Sequence, residues 1–283
     1  MQEWEEKNKT GKRGKPKKFS NTAIQTIVVL QQVFRLPLRQ AEGFVCSILE
    51  RINKHLAVPD HTTVCRRTKF LSVIIRVRPL SNEPVHIVVD STGAKVYGEG
   101  EWKVRKHGWC RHRSWKKLHI GIDEESQEII VGEVTDNDTT DSDTLEPLLN
   151  QLPEGTTIKQ VSADGAYDQR KCYNLLQKHQ VETIAIPPQH NARIWQHGNS
   201  KAERLVRDQN LRRIRTIGRS KWKDEIGYHR RSLSETGMFR LKVAFGDRVA
   251  ARTNERQRVQ LLTRCYALNR MTTLGLPDSY AVN

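Results

Sequence analysis

Between His86 and Pro188 the chain switches repeatedly between two hydrophobic periods, and this alternation narrows the possible folds more than any other feature. HIVVD (86–90), KLHIGID (117–123), EIIVGEV (128–134) and IKQVSAD (158–164) are short, rich in β-branched residues and bounded by turn formers, as expected of strands. TTDSDTLEPLLNQL, between the third and fourth, reads as a capped amphipathic helix in which Thr140 and Asp143 supply the capping pair. YDQRKCYNLLQKH follows the fourth as a second helix, and VETIAIPP is a fifth strand. Three strands, a helix, a strand, a helix and a strand bury their apolar faces as a mixed α/β sheet flanked by helices.

The flanks read differently. Residues 1–20 are polar, basic and Pro/Gly-bearing, the composition of a flexible arm. From Asn21 the pattern becomes helical: SNTAIQTIVVLQQVF opens on a cap, Leu36 to Ile52 repeats apolar residues at helical spacing, and Asp60 caps the short HTTVCRRTKFL. The last two, joined by a turn, match a helix-turn-helix whose reader helix carries Arg66, Arg67 and Lys69; a three-helix packing unit that never touches DNA is the alternative. The expected domains are an arm over 1–20, a helical DNA-binding module over 21–80 and a sheet domain over 81–283.

The chain has 48 Lys plus Arg against 32 Asp plus Glu, a net charge of +16. Such an excess favours a polyanion partner, since each phosphate neutralised releases counterions. No stretch approaches the roughly 20 apolar residues of a membrane span, and no signal peptide is evident, so a cytoplasmic protein is expected. Five scattered cysteines without a C-x-x-C pair argue against a disulfide framework or structural zinc.

Asp90 ends the first strand in VVDSTG, and Asp164 ends the fourth in VSADGAYD. Either alone is ordinary capping. On adjacent strands they stand side by side at the carboxyl edge of the sheet, where α/β sites gather ligands, and the pair is costly without a cation. Tyr228, Arg231, Glu235 and Lys242 recur at steps of three, four and seven, which on a helix confines them to an arc of roughly 60°. A solvated face of ion pairs is the bland reading of that stripe. Glu235 as a third oxygen ligand beside Asp90 and Asp164 is the sharper one, and such a set suits Mg2+ or Mn2+.

VVDSTG, VSADGAYD and YHRRSLSETGMFRLK resemble the three catalytic blocks of the DDE transposases of bacterial insertion sequences, in the superfamily with a Tyr-Arg-Glu-Lys signature around its third acid. GEGEWKVRKHG and SWKKLHIGID resemble the subgroup that names the fifth insertion-sequence family. The likeness runs from about Gly14 to the C-terminus. It implies an RNase H-like α/β fold with Asp90, Asp164 and Glu235 as the catalytic, metal-binding acids, and Tyr228, Arg231 and Lys242 as a clamp on DNA phosphates. It further implies Mg2+ as cofactor with Mn2+ as substitute, and double-stranded DNA, both terminal inverted repeats and target, as partner of a homo-oligomer. The enzyme would nick the element ends by hydrolysis and join the 3'-hydroxyls to target DNA by transesterification. Relatives carry a few tens of residues before the part resembling Trp4 to Lys18, so an N-terminally truncated chain is expected. A non-catalytic remnant that still binds element ends is the alternative function.

Other basic stretches admit both a DNA-contact and a structural reading. Lys103, Arg105, Lys106, Arg111 and Arg113, interleaved with Trp102, Trp109 and Trp115, suit a strand-tracking DNA contact in which aromatics stack on bases; an insertion whose tryptophans pack on the sheet is the alternative. RLVRDQNLRRIRTIGRSKWK (204–223) is expected to lay a basic face along DNA, with a solvated helix as the alternative. His107, His112 and His119 sit among Arg and Lys, which repel a cation, so no zinc cluster is expected there.

Overall fold

The computed structural model describes residues 4–7, 16–52, 56–80, 83–96, 115–196 and 204–275. Its contacts divide into two units, one drawn from Met1–Ile75, Lys95–Arg113 and Leu241–Asn283, the other from Arg76–Ala94 and Ser114–Arg240. The basic and tryptophan-bearing cluster at Lys103, Arg105, Lys106, Arg111 and Arg113 lies outside the described residues.

In the first unit, α1 (Asn21–Val33), α2 (Leu38–Arg51) and α3 (His61–Thr68) follow the predicted periodicity. Ser20 Oγ accepts the Ala23 amide at the start of α1, and Asp60 Oδ1 accepts the amides of Thr62 and Thr63 at the start of α3. Each cap satisfies helix-end amides that would otherwise lack partners. Ile24, Ile27, Val28, Ala41, Val45, Leu49 and Val64 form the core of this unit together with Val259 of α9 (Asn254–Leu274). Gln32 of α1 accepts from both Gln260 and Arg264 of α9, at 3.1 and 2.9 Å. Residues 241–275, expected with the sheet, are grouped by their contacts with the N-terminal helices. The segment expected to be a flexible arm is paired in part: Glu5 bridges Phe19, and Ser20 N–H donates to Trp4 O at 3.1 Å.

The second unit is built on a sheet of β1 (Val85–Val96), β2 (Trp115–Asp123), β3 (Ile129–Asp136), β4 (Ile158–Ser162) and β5 (Thr183–Ala185), in the order β3-β2-β1-β4-β5. β2 and β3 are antiparallel, while β1, β4 and β5 run parallel. The last two residues of β1, Lys95 and Val96, pair with β6 (Arg248–Val249). One sheet face is covered by α4 (Leu145–Leu149) and α5 (Arg170–Lys178), whose Leu145, Leu148, Leu149, Tyr173 and Leu176 pack with Ile87, Val89, Val161 and Ile184. Burial of each such aliphatic side chain contributes about 1.5–3 kcal/mol. The long helix expected at 139–152 is instead a 3-10 turn, Asp141–Asp143, followed by the single-turn α4. Pro147 lies inside that segment, but its missing amide falls in the first turn, where helix amides have no partner anyway.

Beyond β5 come α6 (Val206–Ile217), α7 (Arg219–Glu225), a 3-10 turn at Tyr228–Arg231, and α8 (Ser232–Phe245). Gly237 of α8 faces β2, where an added Cβ would overlap Ile122 Cδ1. Its missing side chain therefore allows α8 to lie close against the sheet.

Candidate active site

Asp90 does not end its strand, as the sequence suggested, but sits midway along β1. Its Oδ1 accepts the Ser91 amide at 2.8 Å. Asp164 lies two residues past β4, where its Oδ1 caps the turn Gly165–Tyr167 by accepting the Ala166 amide at 2.9 Å. Val88 is paired with Ser162 in the parallel β1/β4 ladder. Each aspartate is two residues further along its strand, so the ladder delivers the two carboxylates to the same level of the sheet. Burial raises the Asp164 carboxyl above the ordinary aspartate range, and the neighbouring Asp90 and Asp141 charges push it further.

Glu235 is one helical turn into α8, and its link to the aspartates is Arg231. One guanidinium nitrogen of Arg231 donates to Asp90 Oδ2 at 3.1 Å, and another donates to Glu235 Oε1. Burial pulls the Arg231 pKa down, but Tyr228, Asp90, Glu235 and Asp164 outweigh it, so the guanidinium is held above its usual value. Ser234, fully buried, sets its hydroxyl 3.0 Å from Asp90 Oδ2 and 2.8 Å from Arg231 O.

The stripe of four residues is not one α-helical face. Gly227 adopts φ +68°, a left-handed turn, and Tyr228–Arg231 form a 3-10 turn before α8 begins. Tyr228 is therefore buried, its ring 6.2 Å from that of Trp222, with the Arg231 guanidinium 5.9 Å above it. Burial raises its phenol pKa. Lys242 is exposed further along α8.

The other expected DNA-contacting residues have varied surroundings. Arg66 is exposed on α3 and bonds its own helix at Thr62. Arg67 is committed to protein contacts, donating to the Phe19 carbonyl and to Asn21 Oδ1. Lys69 is exposed, 4.5 Å over the Phe70 ring. In the run 204–223, Arg207 turns inward with 3% exposure. It pairs with Asp168 at 2.9 Å and stacks 4.0 Å from the Trp195 ring, while Asp208 accepts the amides of Trp195 and Gln196. That part of the expected basic face is thus an internal strut, formed because two buried aspartates need a cation. His119 is also buried, held between Thr135 and Thr144 at 2.9 and 3.1 Å.

Sequence reasoning missed Ser234 and the Arg207 network. A serine inside a helix carries no sequence signal, and Asp168 and Arg207 meet only through tertiary folding.

Two models of the transposase DDE domain match the chain, one over residues 1–99 and the other over residues 81–270. The chain belongs to the DDE transposase family. With its strand order and flanking helices, the second unit is the RNase H-like α/β core of a DDE transposase. Among solved structures, the Drosophila P element transposase strand transfer complex is similar at a TM-score of 0.31 and 12% identity, over 94% of this chain and 62% of that one. This chain thus spans less than two thirds of that protein.

Domains of this family generally use divalent metal ions. The donor set of the transposase fits one chemically: its oxygens suit a hard cation, and a positive group already bridges Asp90 and Glu235. Among the described residues, no three carboxylate, imidazole or thiol groups converge to hold an ion as the side chains stand. The guanidinium of Arg231 lies between two of the acids instead. Also among the described residues, no helix is long and apolar enough to cross a membrane.

Proposed function

We propose that this transposase binds the terminal inverted repeats of its element, nicks them hydrolytically, and joins the 3'-hydroxyls to double-stranded target DNA. In this reading Asp90, Asp164 and Glu235 are the catalytic acids. The observation that supports it most is the single guanidinium of Arg231 shared by Asp90 and Glu235, beside an Asp164 whose charged form is disfavoured by burial and by Asp90. Two acids from separate elements share one cation, with a third acid near Asp90, and such an arrangement stores negative charge for a positive ligand.

Mg2+, with Mn2+ as substitute, would supply the polarisation of the attacking oxygen and neutralise charge on the leaving one. The residues do the rest. Ser234 and the Ser91 amide fix the Asp90 carboxylate in one orientation, and the Ala166 amide does the same for Asp164. Arg231 holds the acids together while DNA is absent, then turns its planar fork to a phosphate, for which its geometry is suited. Tyr228 packs beneath that guanidinium and limits its directions, and Lys242 offers a point charge to the backbone. The exposed cations Arg66 and Lys69 on the helical module are assigned to phosphates too, consistent with a chain of net charge +16. Tyr228 is not assigned as a nucleophile, since direct attack by water and then by the 3'-hydroxyl needs no covalent protein intermediate.

The test is strand cleavage and joining on terminal inverted-repeat DNA with Mg2+, comparing the natural protein with Asp90→Ala and Glu235→Gln. Cleavage by the natural protein and at least a thousandfold loss in both variants is expected, on the order seen when electrostatic groups of a transition state are removed. End binding without cleavage by the natural protein would favour a non-catalytic remnant. Equal activity in the substituted proteins would refute the assigned acids.

A further inference from the structure

Phe239 is 67% exposed on α8, although the same helix buries Met238 at 8%, Leu241 at 5% and Phe245 at 4%. A single exposed aromatic is common on protein surfaces. What distinguishes Phe239 is its place. It stands four residues after Glu235, so the two side chains share one face of the helix, with Cβ atoms about 5–6 Å apart. Ser232 and Thr236, also on the exposed side of α8, are small and polar, so the ring is the one large apolar surface on the first two turns of that side.

A DNA strand that follows this face of the helix past Glu235 meets this ring. Successive bases along one DNA strand rise by about 3.4 Å, which puts a ring one helical turn away within reach of the first or second nucleotide beside the reacting phosphate. An aromatic face can hold a base there once that base leaves the duplex stack and presents its π surface. Arg231, on the other side of Glu235, supplies the positive charge for the adjoining backbone.

We propose that Phe239 stacks on a nucleobase of the element-end DNA next to the phosphate that is cut, and so holds that nucleotide in register with the acids. This rests on the transposase reading above. Phe239 is a positioning residue for the DNA end, not a catalytic one.

The experiment uses the full chain and a duplex carrying the element end, with 2-aminopurine placed in turn at each nucleotide flanking the cut. The natural protein is expected to change the fluorescence at one position within two nucleotides of the cut. Phe239→Ala should abolish that change and raise KM for end DNA about tenfold, the scale of one lost base stack, with an unchanged melting temperature because the ring is exposed. Phe239→Trp should keep both the fluorescence change and the low KM. A folded Phe239→Ala protein that retains the signal and the KM would overturn the inference while leaving the transposase reading intact. A natural protein that cuts the DNA but perturbs no probe position would do the same. A natural protein that neither binds nor cuts element ends would remove the transposase reading, and this inference with it.

Discussion

At Asp90, a backbone amide, a buried hydroxyl and a guanidinium all meet one carboxylate. Asp164 has a single amide and a buried setting, and its pKa is raised. The two carboxylates thus stand at the same level of the sheet in unlike surroundings, and Arg231 links Asp90 to the third acid. The arm to Glu235 is open to solvent, since the Glu235 side chain is 60% exposed, so that ion pair is worth no more than about 1 kcal/mol. Arg231 therefore competes only weakly for Glu235. Arg231→Gln is expected to tighten Mn2+ binding to the DNA-free protein by up to about fivefold, the equivalent of that ion pair, as read by electron paramagnetic resonance of free Mn2+. The same variant should slow cleavage by about tenfold or more, because a charge-assisted bond to phosphate is lost. Weaker Mn2+ binding in Arg231→Gln would show that the guanidinium supports the ligand set and does not occupy it.

At the scale of elements, the approach of α8 to the sheet depends on Gly237, and the segment between β5 and α6 depends on Arg207. That residue is 3% exposed and ties Asp168, just past β4, to Asp208 at the start of α6. Removing it leaves two acids buried without a counter-charge. Arg207→Ala is expected to destabilise the protein by about 3–5 kcal/mol, measured as a drop in the urea midpoint; a loss below about 1 kcal/mol would show that water replaces the arginine. The strands and the first three helices were legible in the sequence because each rests on a local signal: β-branched runs, and caps at Ser20 and Asp60. The 3-10 turn at Tyr228–Arg231 was not. Its residues fit an α-helical stripe equally well, and the decision falls to Gly227 at φ +68°. Arg207 was read as surface charge because composition says nothing about which arginine in a basic run finds buried acids.

At the scale of the whole molecule, chain order was a poor guide to grouping. α9 packs on α1, more than 200 residues earlier, through Val259 and the Gln32–Arg264 contact, and no local pattern announces a pairing of that range. The excess of 48 basic over 32 acidic residues suits a polyanion partner. The account as a whole stands on the claim that Asp90, Asp164 and Glu235 jointly hold the ion that cuts and joins DNA. Replacing Asp164 by cysteine tests this most directly, since a thiolate is a poor ligand for Mg2+ but a better one for Mn2+. Asp164→Cys should lose end cleavage in Mg2+ and regain a substantial part of it in Mn2+, whereas Asp164→Ala should stay inactive in both. Equal activity of Asp164→Cys and the natural protein in Mg2+ would contradict the account.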